Sequence, residues 1–460
     1  MKHLSFLLLL LFLVSSCKKL EAPTVSDSTQ ANETLSFALP DWAKNANIYE
    51  VNIRQYTDAG SFSAFAAHLP RLKEMGVDIL WLMPIFPISQ SKRKGTLGSY
   101  YAVSDFRKVN PEFGTEAEFD AMIKKAHDLG MHVIIDWVPN HTGWDHVWLT
   151  DHKDYYTQDE DGNVIDPIDP GTGESWGWTD VADLNYDNNE MREQMIADME
   201  YWLAERNIDG YRMDVAHNVP DDFWETVRDR LFKGRSIYML AEAEMGNHRN
   251  NEFFHTSYGW SLHHILNDIA KGEKNATDID QWYKEDRAKF KKGFHMHFTS
   301  NHDENSWSGT EFERMGDAHK TFAALVSTFD GTPLIYSGQE EPLKRRLEFF
   351  EKDNINFGSY SYANFYKKLL NLKHDNQALW NGEHGGELKK ILNDENVYAF
   401  KREKNGDEFI GIFNLSNKTK AVDLDFNVDL KNVMTGEKQF WNAGENLILA
   451  PWQYFLLSNK

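Results

Sequence analysis

The feature that most constrains the fold is a series of short apolar runs separated by amphipathic stretches with a helical period. Residues 77–83 form one nearly continuous run, which Pro84 ends, and residues 131–136 form another. Runs of this kind, without strict alternation, are typical of parallel strands that are covered on both faces. The stretches between them repeat apolar residues every three or four positions, as amphipathic helices do. The chain is therefore expected to alternate strands and helices.

The repeat predicts a closed barrel rather than an open sheet. Strands are predicted at residues 48–53, 77–83, 131–136, 208–214, 237–241, 294–298 and 333–336, with an eighth near residues 346–350. Helices are predicted at residues 61–75, 116–129, 190–205 and 220–231. This number of units within residues 41–380 indicates an α/β fold, a (β/α)8 TIM barrel. A doubly wound sheet is the alternative, but no glycine-rich phosphate loop follows the first strand.

Two segments depart from the repeat. Residues 141–187, after the third strand, lose the periodicity and indicate an inserted subdomain, because loops of this length are usually functional. Residues 381–460 contain short alternating runs, such as 397–401 and 409–413, separated by polar turns. This pattern predicts a C-terminal antiparallel β-sandwich domain.

The N-terminus has the pattern of a targeting segment. Lys2 and His3 precede an apolar run at residues 4–14, which is too short to span a membrane but suits a signal peptide. Cys17 ends this segment and is the only cysteine in the chain, so no internal disulfide is possible. The pattern resembles a bacterial lipoprotein signal peptide at residues 1–17, with ordinary secretion as the alternative. It implies lipidation at Cys17 and a flexible tether at residues 18–40.

This resemblance implies a place in the bacterial cell envelope, periplasmic or on the cell surface, with membrane attachment only through the lipidated N-terminus. The net charge of -22, from 49 basic and 71 acidic residues, argues against binding to nucleic acid or to an anionic membrane surface. A neutral ligand is easier to accommodate.

Chemistry-bearing residues follow the predicted strands, and in a barrel such positions share one mouth. Arg212 and Asp214 lie two residues apart and so face the same side of a strand. The cation would keep Asp214 ionised, although the same pair could be a buried structural ion pair. Glu242 follows an apolar run. The residues at the strand ends are Asp136, Asn140, His141, Arg212, Asp214, Glu242, His302 and Asp303.

Two reaction classes use carboxylates and imidazoles in this way. A metal-dependent hydrolase needs histidines in ligand spacing, and none of the strand-end histidines has such a neighbour. Glycoside hydrolysis needs one ionised carboxylate beside a cation and one carboxyl that holds a proton. Asp214 suits the first role and Glu242 the second.

The chain resembles glycoside hydrolase family 13, the α-amylase family, over most of residues 47–460. Four motifs occur in the family order, at residues 136–141, 210–214, 240–242 and 299–303. The resemblance implies a retaining enzyme that cleaves α-1,4-glucosidic bonds of starch, maltodextrins or related α-glucans through a covalent glycosyl-enzyme.

The resemblance also implies a role for each site residue. Asp214 is implied to be the nucleophile, Glu242 the general acid and base, and Asp303 the group that stabilises the transition state. Tyr101 is implied to stack under the sugar at the cleavage point. The implied substrate-binding residues are Tyr101, His141, Arg212 and His302.

A structural calcium ion is a further implication, with no cofactor required for the chemistry. Asn140 and Asp183 match two calcium ligands of the family. The third, a histidine four residues past the nucleophile, is Asn218 here, while His217 lies one residue early. Oxygen ligands suit calcium, but the set is incomplete.

Several alternatives stay open. Residues 214–219 resemble the neopullulanase and cyclomaltodextrinase branch, whose members also act on α-1,6 bonds. The same residues would serve a glucan transglycosylase, and a noncatalytic glucan-binding protein is a remote alternative. Tryptophans of the insertion either line outer sugar subsites or form its core. Glu244, two residues after the implied acid, is expected to face solvent.

Overall fold

The structure is a computed structural model that describes residues 37–169 and 171–460. The predicted signal peptide, Cys17 and nearly all of the predicted tether lie outside these residues. Within them, eight parallel strands close into a barrel in the spatial order β1, β10, β9, β8, β7, β6, β3, β2. The barrel strands are β1 (Ile48–Val51), β2 (Ile79–Leu82), β3 (His132–Trp137), β6 (Gly210–Met213), β7 (Tyr238–Ala241), β8 (Thr256–Tyr258), β9 (Phe294–His297) and β10 (Gly331–Tyr336). The predicted TIM barrel is confirmed.

The eighth strand was predicted in the wrong place. Residues 346–350 form no strand, and the strand absent from the prediction is Thr256–Tyr258, which pairs with β7 and β9. It has only three residues, two of them hydroxyl-bearing, so it lacks the apolar run that identifies the other strands.

Helices cover the outside of the barrel. Their bounds are α1 Ile53–Tyr56, α2 Phe62–Ala66, α3 Leu69–Met75, α4 Glu116–Asp128, α5 Val147–Asp151, α6 Asn189–Glu205, α7 Asp221–Leu231, α8 Gly246–Asn250, α9 Trp260–Lys271, α10 Ala276–Lys289, α11 Glu311–Met315, α12 His319–Thr328 and α13 Ala363–Asp375. No helix in the described part of the chain is both long and apolar enough to cross a membrane.

One predicted helix is wrong in detail. The single helix expected at residues 61–75 is two helices, α2 and α3. Pro70 lies in the first turn of α3, where its missing N–H needs no partner, whereas inside one long helix it would break a hydrogen bond. Gly76 ends α3 in a left-handed conformation, with φ of 102°.

The insertion leaves the barrel after β3. It contains two short antiparallel strands, β4 (His141–Gly143) and β5 (Val181–Asp183), and their register pairs His141 with Asp183. A short 3-10 helix, Lys153–Tyr155, lies between them. The insertion therefore starts at the carboxyl end of a barrel strand and forms one wall above the barrel mouth.

The C-terminal domain consists of two antiparallel sheets. Six strands form one sheet and two form the other, and apolar residues such as Ile412, Val422 and Leu449 form a core between them. Arg402 is fully buried and donates to the backbone oxygen of Phe329 at 2.6 Å, which ties this domain to the barrel. The strands are β11 Lys389–Lys390, β12 Val397–Lys404, β13 Asp407–Asn414, β14 Lys420–Asp423, β15 Val428–Asn432, β16 Lys438–Trp441, β17 Asn446–Leu449 and β18 Tyr454–Ser458.

Candidate active site

Arg212 is the centre of the cluster at the carboxyl end of the barrel. Its side chain is fully buried, and Nη1 lies 2.8 Å from both Asp136 Oδ1 and Asp214 Oδ1. Nη2 lies 3.0 Å from Glu242 Oε2. One guanidinium thus holds three carboxyl groups from three neighbouring strands. The predicted approach of Arg212 and Asp214 is confirmed, because alternate residues of β6 face the same side.

A second set of hydrogen bonds adjoins this cluster. The Tyr101 hydroxyl donates to Asp136 Oδ2 at 3.0 Å and lies 2.9 Å from His302 Nε2. The other ring nitrogen of His302 lies 2.5 Å from Glu50 Oε1. With carboxylate on one side and a phenol oxygen on the other, both ring nitrogens of His302 act as donors.

The charge on His302 follows from these neighbours. Burial opposes the imidazolium, but the carboxylates of Asp303 and Glu50 prevail and raise the pKa of His302 to about 9. His302 Nε2 lies 3.3 Å from Asp303 Oδ2. The ring is therefore cationic at neutral pH and holds Asp303 at the edge of the site.

Asp214 and Glu242 compete for one proton. Burial and the charge of Glu242 raise the pKa of Asp214. Burial also opposes ionisation of Glu242, but the Arg212 guanidinium and a hydrogen bond from the Val215 N–H lower the pKa of Glu242. The two side chains also share a hydrogen bond. Without substrate, the proton of this pair therefore resides on Asp214, whereas the roles implied by sequence need it on Glu242.

The backbone after Asp214 is strained. Val215 adopts φ of 44° and ψ of 40°, a left-handed conformation that is unusual for a β-branched residue. In this conformation its N–H donates to Glu242 Oε2 at 2.9 Å. Strain of this kind is typical of functional sites, and here it fixes Glu242 against Arg212.

The insertion brings His141 to the same mouth. Its imidazole is buried, and burial lowers its pKa to about 4, so the ring is neutral near pH 7. Trp178 packs edge-on against it, with ring centroids 5.8 Å apart, and stacks on the exposed Trp176 at 5.7 Å. Trp148, in contrast, is buried in the core. The insertion thus uses its tryptophans in both of the ways that the sequence left open.

The two predicted calcium ligands lie on adjoining strands. The Leu184 N–H donates to the backbone oxygen of Asn140 at 3.2 Å, next to the pairing of His141 with Asp183. Burial raises the pKa of Asp183 to about 7. A hard cation here would favour the ionised carboxylate, so the chemistry of Asn140 and Asp183 fits calcium. Asn218 is half-buried and His217 is exposed.

Sequence reasoning missed two residues that contact the cluster. The Tyr258 hydroxyl accepts hydrogen bonds from Arg212 Nη2 at 3.2 Å and Nε at 3.3 Å, but it lies on the strand that was not identified. Glu50 is a fully buried carboxylate within β1. A lone carboxylate inside an otherwise apolar strand was the one available signal for Glu50.

Glu244 does not face solvent, so that prediction was wrong. Its Oε2 accepts hydrogen bonds from the Ser261 hydroxyl at 2.5 Å and from the Ser261 N–H at 3.0 Å. Ser261 lies in the first turn of α9, where backbone N–H groups lack helical partners and favour a carboxylate. Glu244 thus stabilises the start of a helix.

A cavity of about 920 Å³ lies at the opposite end of the barrel. His255, Gly293 and Asp330 line it, and each of them immediately precedes a barrel strand. It is therefore separate from the carboxylate cluster, which lies where the strands end.

Comparisons with known proteins agree with this geometry. The model of the alpha-amylase catalytic domain matches residues 37–355. Alpha-amylase 3 of Dictyoglomus thermophilum is 24% identical over 463 residues, covering 85% of this chain and 89% of that protein. A cyclomaltodextrinase of Thermoanaerobacter pseudethanolicus is 24% identical over 478 residues, covering 92% of this chain and 79% of that protein. The crystal structure of a maltogenic alpha-amylase from Thermotoga neapolitana superposes with a TM-score of 0.82 and 27% identity, covering 91% of this chain and 99% of that one.

Proposed function

The chain belongs to the α-amylase family of glycoside hydrolases, and from this premise we propose that it is a retaining α-glucan hydrolase that cleaves α-1,4-glucosidic bonds. The observation that carries the proposal is the pair of carboxyls, Asp214 and Glu242, joined to one guanidinium at the barrel mouth. Their shared hydrogen bond favours a retaining mechanism, because inverting enzymes separate the two groups to admit a water molecule.

In the first step, an Asp214 carboxylate oxygen attacks the anomeric carbon of the bound glucosyl unit. The bond from that carbon to the glycosidic oxygen breaks, and Glu242 gives its proton to the departing oxygen. In the second step, Glu242 takes a proton from water while the water oxygen attacks the same carbon and releases Asp214. Both carboxyls return to their starting states.

Substrate entry must first move the proton between the two carboxyls. Without substrate, Arg212 and the Val215 N–H favour the ionised form of Glu242. A glycosidic oxygen placed against Glu242 can accept a hydrogen bond only from its protonated form. Arg212 also contacts Asp214 at 2.8 Å, so it can stabilise the carboxylate that the transfer creates.

The surrounding residues suit the binding of one glucosyl ring. Tyr101 offers its aromatic face, and the neutral His141 and the cationic His302 offer hydrogen-bond donors of different charge. Asp303 is partly exposed at the mouth, where it can accept hydrogen bonds from sugar hydroxyls. Hydrogen bonds to these hydroxyls that strengthen in the transition state lower the barrier.

An enzyme of the neopullulanase or cyclomaltodextrinase type, or a glucan transglycosylase, is the second candidate. Residues 214–219 resemble that branch, and the similarity to a cyclomaltodextrinase covers 92% of this chain. The same two carboxyls serve all these reactions, which differ in the bond accepted and in whether water or a sugar hydroxyl resolves the intermediate.

A time course of products from amylose and pullulan tests the proposal, using protein without residues 1–17 and Asp214→Asn as the control. Mixed maltooligosaccharides from amylose, with pullulan intact, are expected. Release of panose or maltotriose from pullulan would move the assignment to the second candidate. Products longer than the starting maltooligosaccharides would indicate transglycosylation. Equal inactivity of both proteins would contradict a hydrolase.

Calcium is expected to raise the melting temperature by about 3–5 °C when its concentration is about 100 times Kd. Asn140 and Asp183 would hold the ion and so fix the base of the insertion against the barrel. Thermal unfolding in calcium and in a chelator measures the effect. Asp183→Asn is expected to lose most of it, while Asp187→Asn, at an exposed site, keeps it. An unchanged response of Asp183→Asn would exclude this site.

We also propose that the chain is anchored to the bacterial cell envelope through Cys17, which rests on the sequence pattern alone. In a bacterial host that processes lipoproteins, Cys17→Ser is expected to shift the protein from the membrane fraction to the soluble fraction. Ser15→Ala is the matched control and is expected to stay in the membrane fraction. Membrane retention of Cys17→Ser would contradict the anchor.

A further inference from the structure

Trp307 is a large aromatic side chain exposed beside the site. It lies in a single π-helical turn, Glu304–Ser308, which begins directly after Asp303. The side chain is 55% exposed although it is one of the largest apolar groups in the protein. Turns of this type occur frequently at functional sites. The roles assigned to the catalytic carboxyls do not account for this exposure.

Aromatic contacts connect Trp307 with the sugar-binding pocket. Its ring centroid lies 5.3 Å from that of Phe349. Phe349 is nearly parallel to Tyr101, with centroids 6.3 Å apart and 9° between the planes, and lies 6.4 Å from His302. The aromatic surface that begins at Tyr101 thus continues outward over Phe349 to Trp307.

The loop that carries Phe349 is held in place by hydrogen bonds. The Asn305 side chain, in the same turn as Trp307, donates to the Arg345 oxygen at 3.2 Å and accepts from the Leu347 N–H at 2.9 Å. Gln55 Nε2 donates to the Glu348 oxygen at 2.9 Å. An aromatic pair on such a scaffold is pre-organised, so binding loses little conformational entropy.

We propose that Trp307 and Phe349 form a subsite for the second glucosyl unit on the non-reducing side of the cleaved bond. This inference rests on the proposed function and adds a chain-length preference to it. The apolar face of a glucose ring would stack on these aromatic rings, and their exposed surface would be buried by the sugar.

The side of the cleaved bond follows from the roles of the carboxyls. Glu242 protonates the departing oxygen, so the residues just beyond it, such as the 40% exposed Met245, adjoin the leaving group. Tyr101 and His302 contact the glucosyl unit that Asp214 attacks. Phe349 and Trp307 join the site through those two rings, so they adjoin the next unit in the non-reducing direction.

The test compares release of p-nitrophenol from p-nitrophenyl α-maltoside and from p-nitrophenyl α-glucoside. Only the maltoside places a second glucosyl unit on the proposed subsite. In Trp307→Ala, the ratio of kcat/KM for maltoside to kcat/KM for glucoside is expected to fall about tenfold, as loss of one aromatic stacking contact implies. Trp307→Phe is expected to keep most of the ratio. Phe440→Ala, at a 65% exposed site in the C-terminal domain, leaves it unchanged.

An unchanged ratio in Trp307→Ala, or an equal loss on both substrates, would overturn the subsite. A loss confined to substrates extended on the reducing side would overturn the assigned direction. If wild-type protein cleaves no glucan, the proposed function fails separately. Calorimetric binding of maltotriose to Asp214→Asn, with and without Trp307→Ala, then decides the subsite, and equal affinities would exclude it.

Discussion

Asp214→Asn is expected to reduce kcat on α-glucans by on the order of 10⁴-fold or more, the scale seen when a nucleophile is removed. Asparagine has the same shape, and its carbonyl oxygen can still accept the hydrogen bond from Arg212. It cannot form the glycosyl ester, so the covalent route is lost while the pocket persists. Initial rates on maltooligosaccharides of known length measure the effect.

The matched control is Asp209→Asn, which removes a buried carboxylate just before the other end of β6. Asp209 accepts hydrogen bonds from the Val133 N–H and from His127, far from the cleavage point. This variant is expected to lose stability but to keep kcat within tenfold of wild type. If Asp214→Asn also kept kcat within tenfold, Asp214 would not be the nucleophile.

The same substitution has an opposite effect on stability. Burial and Glu242 raise the pKa of Asp214 in the folded state above its unfolded value. Such a group favours the folded state below its unfolded pKa, and that contribution is lost as pH rises through the folded pKa. Asp214→Asn is therefore expected to gain melting temperature relative to wild type between pH 4 and pH 7.

The catalytic residues were predictable because each follows a strand that its own apolar run identifies. Asp214 follows β6 directly, and Glu242 follows β7. Barrel closure then brings strand ends together whatever the loops contain. The motif therefore located the site, and the fold supplied the distances.

The residues that escaped prediction contact the site from elements without a local signature. Tyr258 lies on a three-residue strand, and Phe349 lies on a loop that only hydrogen bonds from Asn305 and Gln55 fix in place. The protonation of Glu242 was also beyond the sequence, because it depends on the left-handed backbone at Val215. These features come from tertiary contacts, which periodicity does not encode.

Arg212→Met is expected to destabilise the protein by about 3–5 kcal/mol at pH 7, the scale for leaving buried charges unpaired. Arg212 is fully buried and contacts the carboxyls of Asp136, Asp214 and Glu242. Burial already raises the pKa of Asp136 to about 6 against the opposing charge of this guanidinium. Without the guanidinium, all three folded pKa values would lie above the unfolded values of about 4. Glycoside hydrolysis is expected to be lost as well, because Asp214 could no longer stay ionised.

The pH dependence identifies this mechanism. Carboxyls with raised folded pKa values support the folded state below the unfolded pKa and oppose it as pH rises through the folded values. The deficit of Arg212→Met relative to wild type, measured by urea unfolding, is therefore expected to be small at pH 4.5 and to grow by pH 7.5. Arg249→Met removes another buried guanidinium, whose hydrogen bonds go to the oxygens of Lys292, Gly293 and Ser257. Its deficit is expected to vary much less with pH. An Arg212→Met deficit that stayed constant with pH would mean that the guanidinium acts through packing rather than through the three carboxylates.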